Sequence, residues 1–537
     1  MTRAWTRLAA FALPSAACAI NPGGECLAQA TAPTTRPARY VPYDGEGRYT
    51  MGREAEPETL GIQGLHAMAR RWGQKPYEKL WDGTAWQTER AIFRDVTTGA
   101  EIWRLTHDLG CDAVNYHKGS WSADGGHVVW RRRPGMWESS TATHGPTVMR
   151  SDGTGLRPIA REFRMVRKIQ CSRTDPDLVY IMVGDKALHA FDLRTGKSVQ
   201  KLGDFGGSWH LKHSIDGRYL YSYCKDAAGR RRVWIVSTDG AERYDVSLAK
   251  PTHDSYYIHP TLKYLMFWYE GDYRTEGFRM KRFDNRDELV TGVLFDWNHG
   301  DFGLAPLGGT HISGRLFATA AGGRQWLPPV NAFAADKDAA YYDRPVSPRN
   351  GYCTWRPKDQ PWAFGSALVL RPWLSELFMY DVRPVDNDVT NRFRVCLIGN
   401  RSNGSLDACD GSPDGTKVIF NSDMLPAPQI YVVVVRRPQP PTDLTARRAA
   451  DGSVTLSWKP AHYSRETAGY NVYRSEHSGR GYEQVNDALV TGTRFVDRPA
   501  GERTVFYVVA SVEHSTLEGA SPPRPLRAVP AAASHRG

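Results

Sequence analysis

Several familiar signatures are missing from this chain, and each absence removes a class of function. There is no Gly-rich nucleotide loop, no Gly-x-Ser-x-Gly elbow and no His-Glu-x-x-His pair, so kinase, α/β-hydrolase and zincin chemistry find no support. No CxxC spacing occurs among the eight cysteines, which argues against a zinc ribbon. Beyond the N-terminus no apolar run reaches the roughly 20 residues that a membrane helix needs. Acidic residues are also in the minority, at 58 Asp plus Glu against 69 Lys plus Arg. The resulting net charge of +11 favours polyanionic partners, and with no DNA- or RNA-binding motif present the expected polyanion is an acidic glycan rather than nucleic acid.

What is present first is a leader. Arg3 and Arg7 precede an apolar segment from Leu8 to Ile20, and small residues follow to Ala28 and Ala30, the layout of a secretory signal peptide over residues 1–30. Secretion or a periplasmic location is therefore expected, and Ser15-Ala16-Ala17-Cys18 resembles a lipoprotein cleavage box, which leaves a lipid anchor open. Residues 31–74 read as a linker with a short helix near Ile62 to Trp72. Cys111, Cys171, Cys224, Cys353, Cys396 and Cys409 belong to the mature chain; Cys396 to Cys409 is the shortest candidate bridge, with buried free thiols as the alternative.

From Phe93 onward a strand-and-turn grammar repeats. Ser122-Ala123-Asp124-Gly125 runs into a strand at His127 to Trp130, and Ile215-Asp216-Gly217 runs into Tyr219 to Tyr223. Later copies are His259-Pro260-Thr261 before Tyr264 to Trp268, and Ser412-Pro413-Asp414-Gly415 before Val418 to Phe420. The interval of about 40 to 50 residues is that of a four-stranded propeller blade, because one small sheet cannot bury both faces unless neighbours stack on it. An all-β chain is expected, with an approximately seven-bladed β-propeller over residues 75–437 and a loop-rich insertion around Gln325 to Lys358.

Arg437-Pro438-Gln439-Pro440-Pro441 marks a boundary. Beyond it, Leu456-Ser457-Trp458, Gly469-Tyr470-Asn471-Val472-Tyr473-Arg474 and Tyr507-Val508-Val509-Ala510 together resemble a fibronectin type III module, expected over 438–531 before a tail at 532–537. Such modules serve as spacers or adhesive units.

A propeller gathers its ligand site from loops of several blades at one mouth, so functional residues should be scattered in sequence yet sit at matching blade positions. His117, His213, His253, His299 and His311 meet this test, each near an inner strand or the loop leading into it, while His189 falls in an outer strand.

Asp95-Val96-Thr97-Thr98-Gly99, Asn115-Tyr116-His117, Met266-Phe267-Trp268-Tyr269-Glu270-Gly271 and Phe420-Asn421-Ser422-Asp423 make most of this region resemble the oligogalacturonate lyases, polysaccharide lyase family 22, and more loosely the TolB-type propellers. That resemblance implies β-elimination on uronate-containing oligosaccharides, with His253 as the base and Arg230, first of the run Arg230-Arg231-Arg232, neutralising the carboxylate. It also implies a divalent metal, Mn or Ca, with His299 and His311 as the available ligands. The chain departs from the family pattern at Tyr269, where a histidine is usual, and at Asn403 to Asp410, where a glutamine and two histidines are expected; Asp407 and Asp410 offer oxygen instead. The alternatives are a non-catalytic glycan-binding propeller whose mouth is lined by Trp209, Trp268, Tyr269 and Trp297, with the last module as spacer, and a TolB-like protein-interaction propeller.

Overall fold

The computed structural model describes residues 58–59, 91–95, 98–106, 111–113, 119–133, 146–160, 166–184, 186–206, 210–226, 228–252, 256–259, 262–269, 279–290, 301–305, 315–319, 340–341, 353–354, 362–367, 376–381, 392–398, 409–422, 429–461, 464–478, 480–501, 503–520 and 526–527. Every regular element among them is a β-strand, and no helix long and apolar enough to cross a membrane is found there. The leader at 1–30 and the short helix expected near Ile62 to Trp72 lie outside the described residues.

Before Arg437 the described strands form seven sheets. Four of them are successive antiparallel meanders in sequence order. The first holds Cys111–Ala113, His127–Arg133, Pro146–Arg150 and Arg157–Pro158, and the second holds Val166–Cys171, Leu178–Val183, Ala187–Asp192 and Ser198–Asp204. The third comprises Lys212–His213, Tyr219–Lys225, Arg231–Ser237 and Arg243–Leu248. The fourth comprises Tyr256–Ile258, Tyr264–Phe267, Arg279–Arg282 and Glu288–Val290. A fifth sheet starts with Asp301–Ala305 and a sixth with Cys353–Thr354. The remaining sheet closes the set. It pairs Glu101–Arg104 from the start of the repeats with Gln429–Val434 from their end, Trp103 standing opposite Val432.

Consecutive meanders closed by a sheet of mixed origin make a β-propeller, and the cores lie where they should for that architecture. Val129 and Val148 of the first sheet pack with Ile169 and Ile181 of the second, and Tyr180 and Met182 of the second pack with Leu220 and Trp234 of the third. Val233 and Ile235 of the third pack with Tyr256 and Phe267 of the fourth. Each sheet therefore covers its neighbour's apolar face.

The Ser-x-Asp-Gly grammar has a local cause. Asp216 accepts the hydroxyl of Ser214 at 2.6 Å and the amide of Arg218 at 3.0 Å, while the Ser214 hydroxyl accepts the Tyr219 amide at 2.9 Å. The serine and aspartate thus replace turn hydrogen bonds that water would otherwise have to supply. Ser122 with Asp124 and Ser412 with Asp414 repeat the device.

The strands after Pro441 form two antiparallel sheets, one of Thr442–Arg448, Val454–Lys459 and Arg494–Asp497, the other built around Thr467–Ser475 and Phe506–Glu513. They share a core of Val454, Leu456, Trp458, Tyr470, Val472, Tyr507 and Val509. This two-sheet unit is fastened to the propeller. Leu517 inserts among Trp103, Trp121, Trp130 and Ile430, and Lys417 of the closing sheet forms buried ion pairs with Glu466 and Glu513.

Cys396 and Cys409, the candidate bridge, are both free and buried, as are Cys171 and Cys224. Burial pushes the Cys396 thiol well up, consistent with an inert packing role.

Candidate functional site

The up-and-down order of the four meanders defines two ends. At the proximal end the first strand begins, the second turns into the third and the fourth departs; at the distal end lie the Asp-Gly turns. Among the described residues of the second and third sheets, the proximal turns and connections carry Lys186, Lys225, Arg230, Arg231 and Lys250 against Asp204 and Asp226. The distal turns carry Asp175, Asp177, Asp216, Asp239 and Glu242 against Arg173, Arg194, Lys197 and Arg218. In these two sheets the proximal end is therefore the more basic of the two.

The arginine run sits there. Asp226 closes the turn before it, accepting the amides of Ala228 at 3.0 Å and Arg230 at 2.9 Å. Arg230, the arginine singled out from the sequence, lies in this turn with its side chain 82% exposed and its Nε on Asp226 at 2.7 Å. That guanidinium holds the Asp226 carboxyl below the usual carboxylate range. Arg232 points the same way as Trp234, pairing with Asp245 at 3.1 Å and with the Cys224 sulfur at 3.4 Å. Arg231 differs from both. It makes no ion pair or side-chain hydrogen bond with any described residue, and its Nε is buried without a partner.

Strand alternation gives Arg231 a direction as well. It shares a face with Val233 and Ile235, which pack on the fourth sheet, whereas Arg232 shares the face of Trp234 and Val236, which pack on the second. The connection into the fourth sheet is the one that carries His253, three residues before Tyr256–Ile258. A cleft of about 600 Å³ opens at this end, lined by the turn from Asp226 to Arg232, by Asp245 and by Ser247 to Ala249. Sequence reading chose among three adjacent arginines by position; the alternation that separates them becomes legible only once the strand's two neighbours are known.

His253, His299 and His311 themselves lie outside the described residues, as do Trp209, Trp297, His117 and Asp407. Their flanks are informative. Tyr269, on the second-to-third connection of the fourth sheet, accepts the Ala249 amide on its phenol oxygen at 3.1 Å, so it anchors the start of the segment that leads to His253. Arg279 stacks over the same ring at 5.0 Å and pairs with Glu288 at 3.0 Å. Trp268 and Tyr269 are 6% and 2% exposed, so neither lines a mouth as an open stacking platform. Burial pushes the Tyr269 phenol up, keeping it neutral.

The first strands are tied to one another by a belt of bonds. Asp410 accepts the amides of Gly119 and Ser120, each at 2.9 Å, Gln170 donates to the Leu211 carbonyl at 2.8 Å, and Lys212 donates to the Tyr256 carbonyl at 3.3 Å. The Lys212 ammonium lies 4.3 Å from the ring centres of both Tyr256 and Tyr257, and the Tyr256 hydroxyl returns to the His210 carbonyl at 2.9 Å. His213 is buried against Tyr180, edge to face at 5.4 Å. His189 reaches the Ser198 hydroxyl at 3.0 Å on the outer pair of strands.

No complete metal-binding set is found at the proximal end among the described residues. Asp410, which closes the segment expected to supply ligands, is wholly buried with a carboxylate oxygen engaged by two backbone amides. At the distal end, carboxylate oxygens of Asp414, Glu466 and Glu513 lie within 4.8 Å of one another, a spacing that could hold a cation. The Lys417 ammonium already bonds two of the three there.

No protein-family model matches the chain, and no curated protein sequence matches it. Among solved structures it is similar to an oligogalacturonate lyase in complex with manganese, at 13% identity and a TM-score of 0.47, covering 65% of this chain and 97% of that one. An oligogalacturonate lyase from Vibrio parahaemolyticus aligns at 12% identity and a TM-score of 0.45, covering 65% and 98%. An Fn3-like protein from Clostridium thermocellum aligns at 28% identity and a TM-score of 0.14, covering 17% of this chain and 88% of its own.

Proposed function

We propose that this chain is an exported propeller that takes acidic oligosaccharides at its proximal end and cleaves them by β-elimination. In this reading residues 1–30 are a leader, 75–437 form seven blades and 438–531 form a fibronectin type III domain, supported by the two sheets that share the Leu456, Trp458 and Tyr470 core. The observation that carries the functional reading is Arg231, a guanidinium with no carboxylate partner among the described residues, sharing the strand face that packs on the sheet whose first connection bears His253.

The chemistry asks for such a pair. The proton alpha to a uronate carboxylate is very weakly acidic, and its removal places charge on that carboxylate, so a fixed cation must meet it. Arg231 serves this role in place of Arg230, which Asp226 occupies. His253 in its neutral form takes the proton from C5; the C5–H electrons form the C4–C5 double bond, and the C4–O bond breaks with its electrons leaving on the glycosidic oxygen, which is then protonated. Tyr269 fixes Ala249 and so the start of the connection. His299 and His311 are the expected donors for Mn or Ca, but the described residues do not complete a site and no step is assigned to a metal.

Supplying oligogalacturonates and following ultraviolet absorption of the unsaturated product tests this. Turnover in the native chain that disappears in His253→Ala supports it; no product from galacturonate, alginate or glycosaminoglycan oligomers, with or without added Mn, defeats it. A second reading, binding without turnover, is favoured by the engagement of Asp410 in backbone bonds, and would show salt-sensitive affinity with no product.

A further inference from the structure

The joint between propeller and C-terminal unit holds an uneven set of charges. Asp414, Glu466 and Glu513 face one another, all buried, and within them stands Lys417 alone. Its ammonium donates to Glu466 at 2.6 Å, to Thr416 at 2.8 Å and to Glu513. Arg436, half-buried, adds a second positive charge beside the cluster and donates hydrogen bonds to the carbonyls of Asp414 and Gly415. From the first sheet, Asp124 pairs with His514 at 3.6 Å, and His127 stands beside them. Farther along the closing sheet Glu101 is matched by Arg437 at 3.1 Å.

Three carboxyls against one enclosed ammonium cannot all ionise cheaply in a dry site. The hydrogen bonds agree. Asp414 is well supplied, accepting from the Thr416 amide and hydroxyl at 3.0 and 2.8 Å, so it is the natural anion. Glu513 accepts the Ser515 hydroxyl at 3.0 Å and Lys417 on one oxygen only; its other oxygen is buried without a partner.

We propose that this joint is a proton-linked latch, closed while the buried carboxyls share a proton and loosened when the last of them ionises. Burial first, and then the neighbouring carboxylates, push Glu513 up to about 7 and Glu466 well above its ordinary range. A carboxyl raised on docking binds more protons docked than free, so docking is strongest in mild acid and weakens as pH climbs toward 7, where Glu513 ionises. The part that responds is the hairpin from Glu513 to Leu517, whose tip fills the core under Trp103 and Trp121.

Hydrogen–deuterium exchange on the full chain, corrected for intrinsic rates, reads this directly on the amides of residues 513–519. From about pH 5 to about pH 7 protection should fall by up to about tenfold per unit. Glu513→Gln, which keeps a carbonyl for Lys417, should lessen the slope, Glu513→Gln combined with Glu466→Gln should flatten it, and His514→Gln should leave it sloped. A flat profile in the native chain, a slope that survives the double Glu513→Gln and Glu466→Gln variant, or one that vanishes in His514→Gln would each overturn the latch. Should Glu513→Gln fail to fold, the native profile and the His514→Gln control still decide.

Discussion

Lys417 and Glu466 meet at 2.6 Å with both side chains wholly buried, one from the sheet that closes the propeller and the other from the two-sheet unit after it. The two units therefore share a charge balance as well as a core. Removing either partner leaves an ion enclosed without its counter-charge, which costs far more than the pair itself contributes.

Lys417→Met should accordingly lower stability by about 3–5 kcal/mol, read from denaturant unfolding of the full chain. Ending the chain at Arg437 should act in the same direction, because it removes Glu466, Glu513 and Leu517 together. A truncated propeller as stable as the full chain would contradict the role given to these three side chains.

Gly125 turns the first Asp-Gly corner with φ of +67°, and a methyl group added there would run into the Glu466 carboxylate. Gly125→Ala should cost about 1–3 kcal/mol, more than Gly452→Ala, which has φ of +80° but open space around it. The comparison of thermal midpoints separates backbone strain from collision with the joint.

At the proximal end, Arg231→Ala should weaken binding of an oligogalacturonate about tenfold, equivalent to about 1.4 kcal/mol. Arg230→Ala should change it less than about threefold, since that side chain is exposed and committed to Asp226. Calorimetric titration of both variants at one ionic strength is the measurement; the opposite order would return the assignment to Arg230.

Tyr269→Phe deletes the acceptor of the Ala249 amide while keeping the ring under Arg279. Stability should fall by about 1 kcal/mol. In the lyase reading kcat should fall while KM holds, because the variant disturbs the approach to His253 and leaves Arg231 in place.

Much of the propeller could be read from the chain because its turns are local. Ser214, Asp216 and Gly217 specify a corner with side chains two or three residues apart, and the corner recurs. The pairing of Trp103 with Val432 carries no such local mark, and neither does the meeting of Lys417 with Glu466 and Glu513. Trp268 and Tyr269 show the reverse: an aromatic pair beside a loop is more often packing than a sugar platform, and their burial decides for packing. The arginine run announced a cationic site, but three identical residues differ only in the faces that the strand gives them.

The closing sheet also sets a timetable for biogenesis. The Thr106 hydroxyl donates to Gln429 at 2.7 Å across 323 residues of chain. At the usual pace of synthesis, about 5–20 residues per second, the strand Glu101–Arg104 would wait roughly 15 to 65 seconds for its partner. Until then it offers an unpaired edge to any passing strand, and a nascent chain of this design benefits from a chaperone that shields that edge until the last repeat emerges.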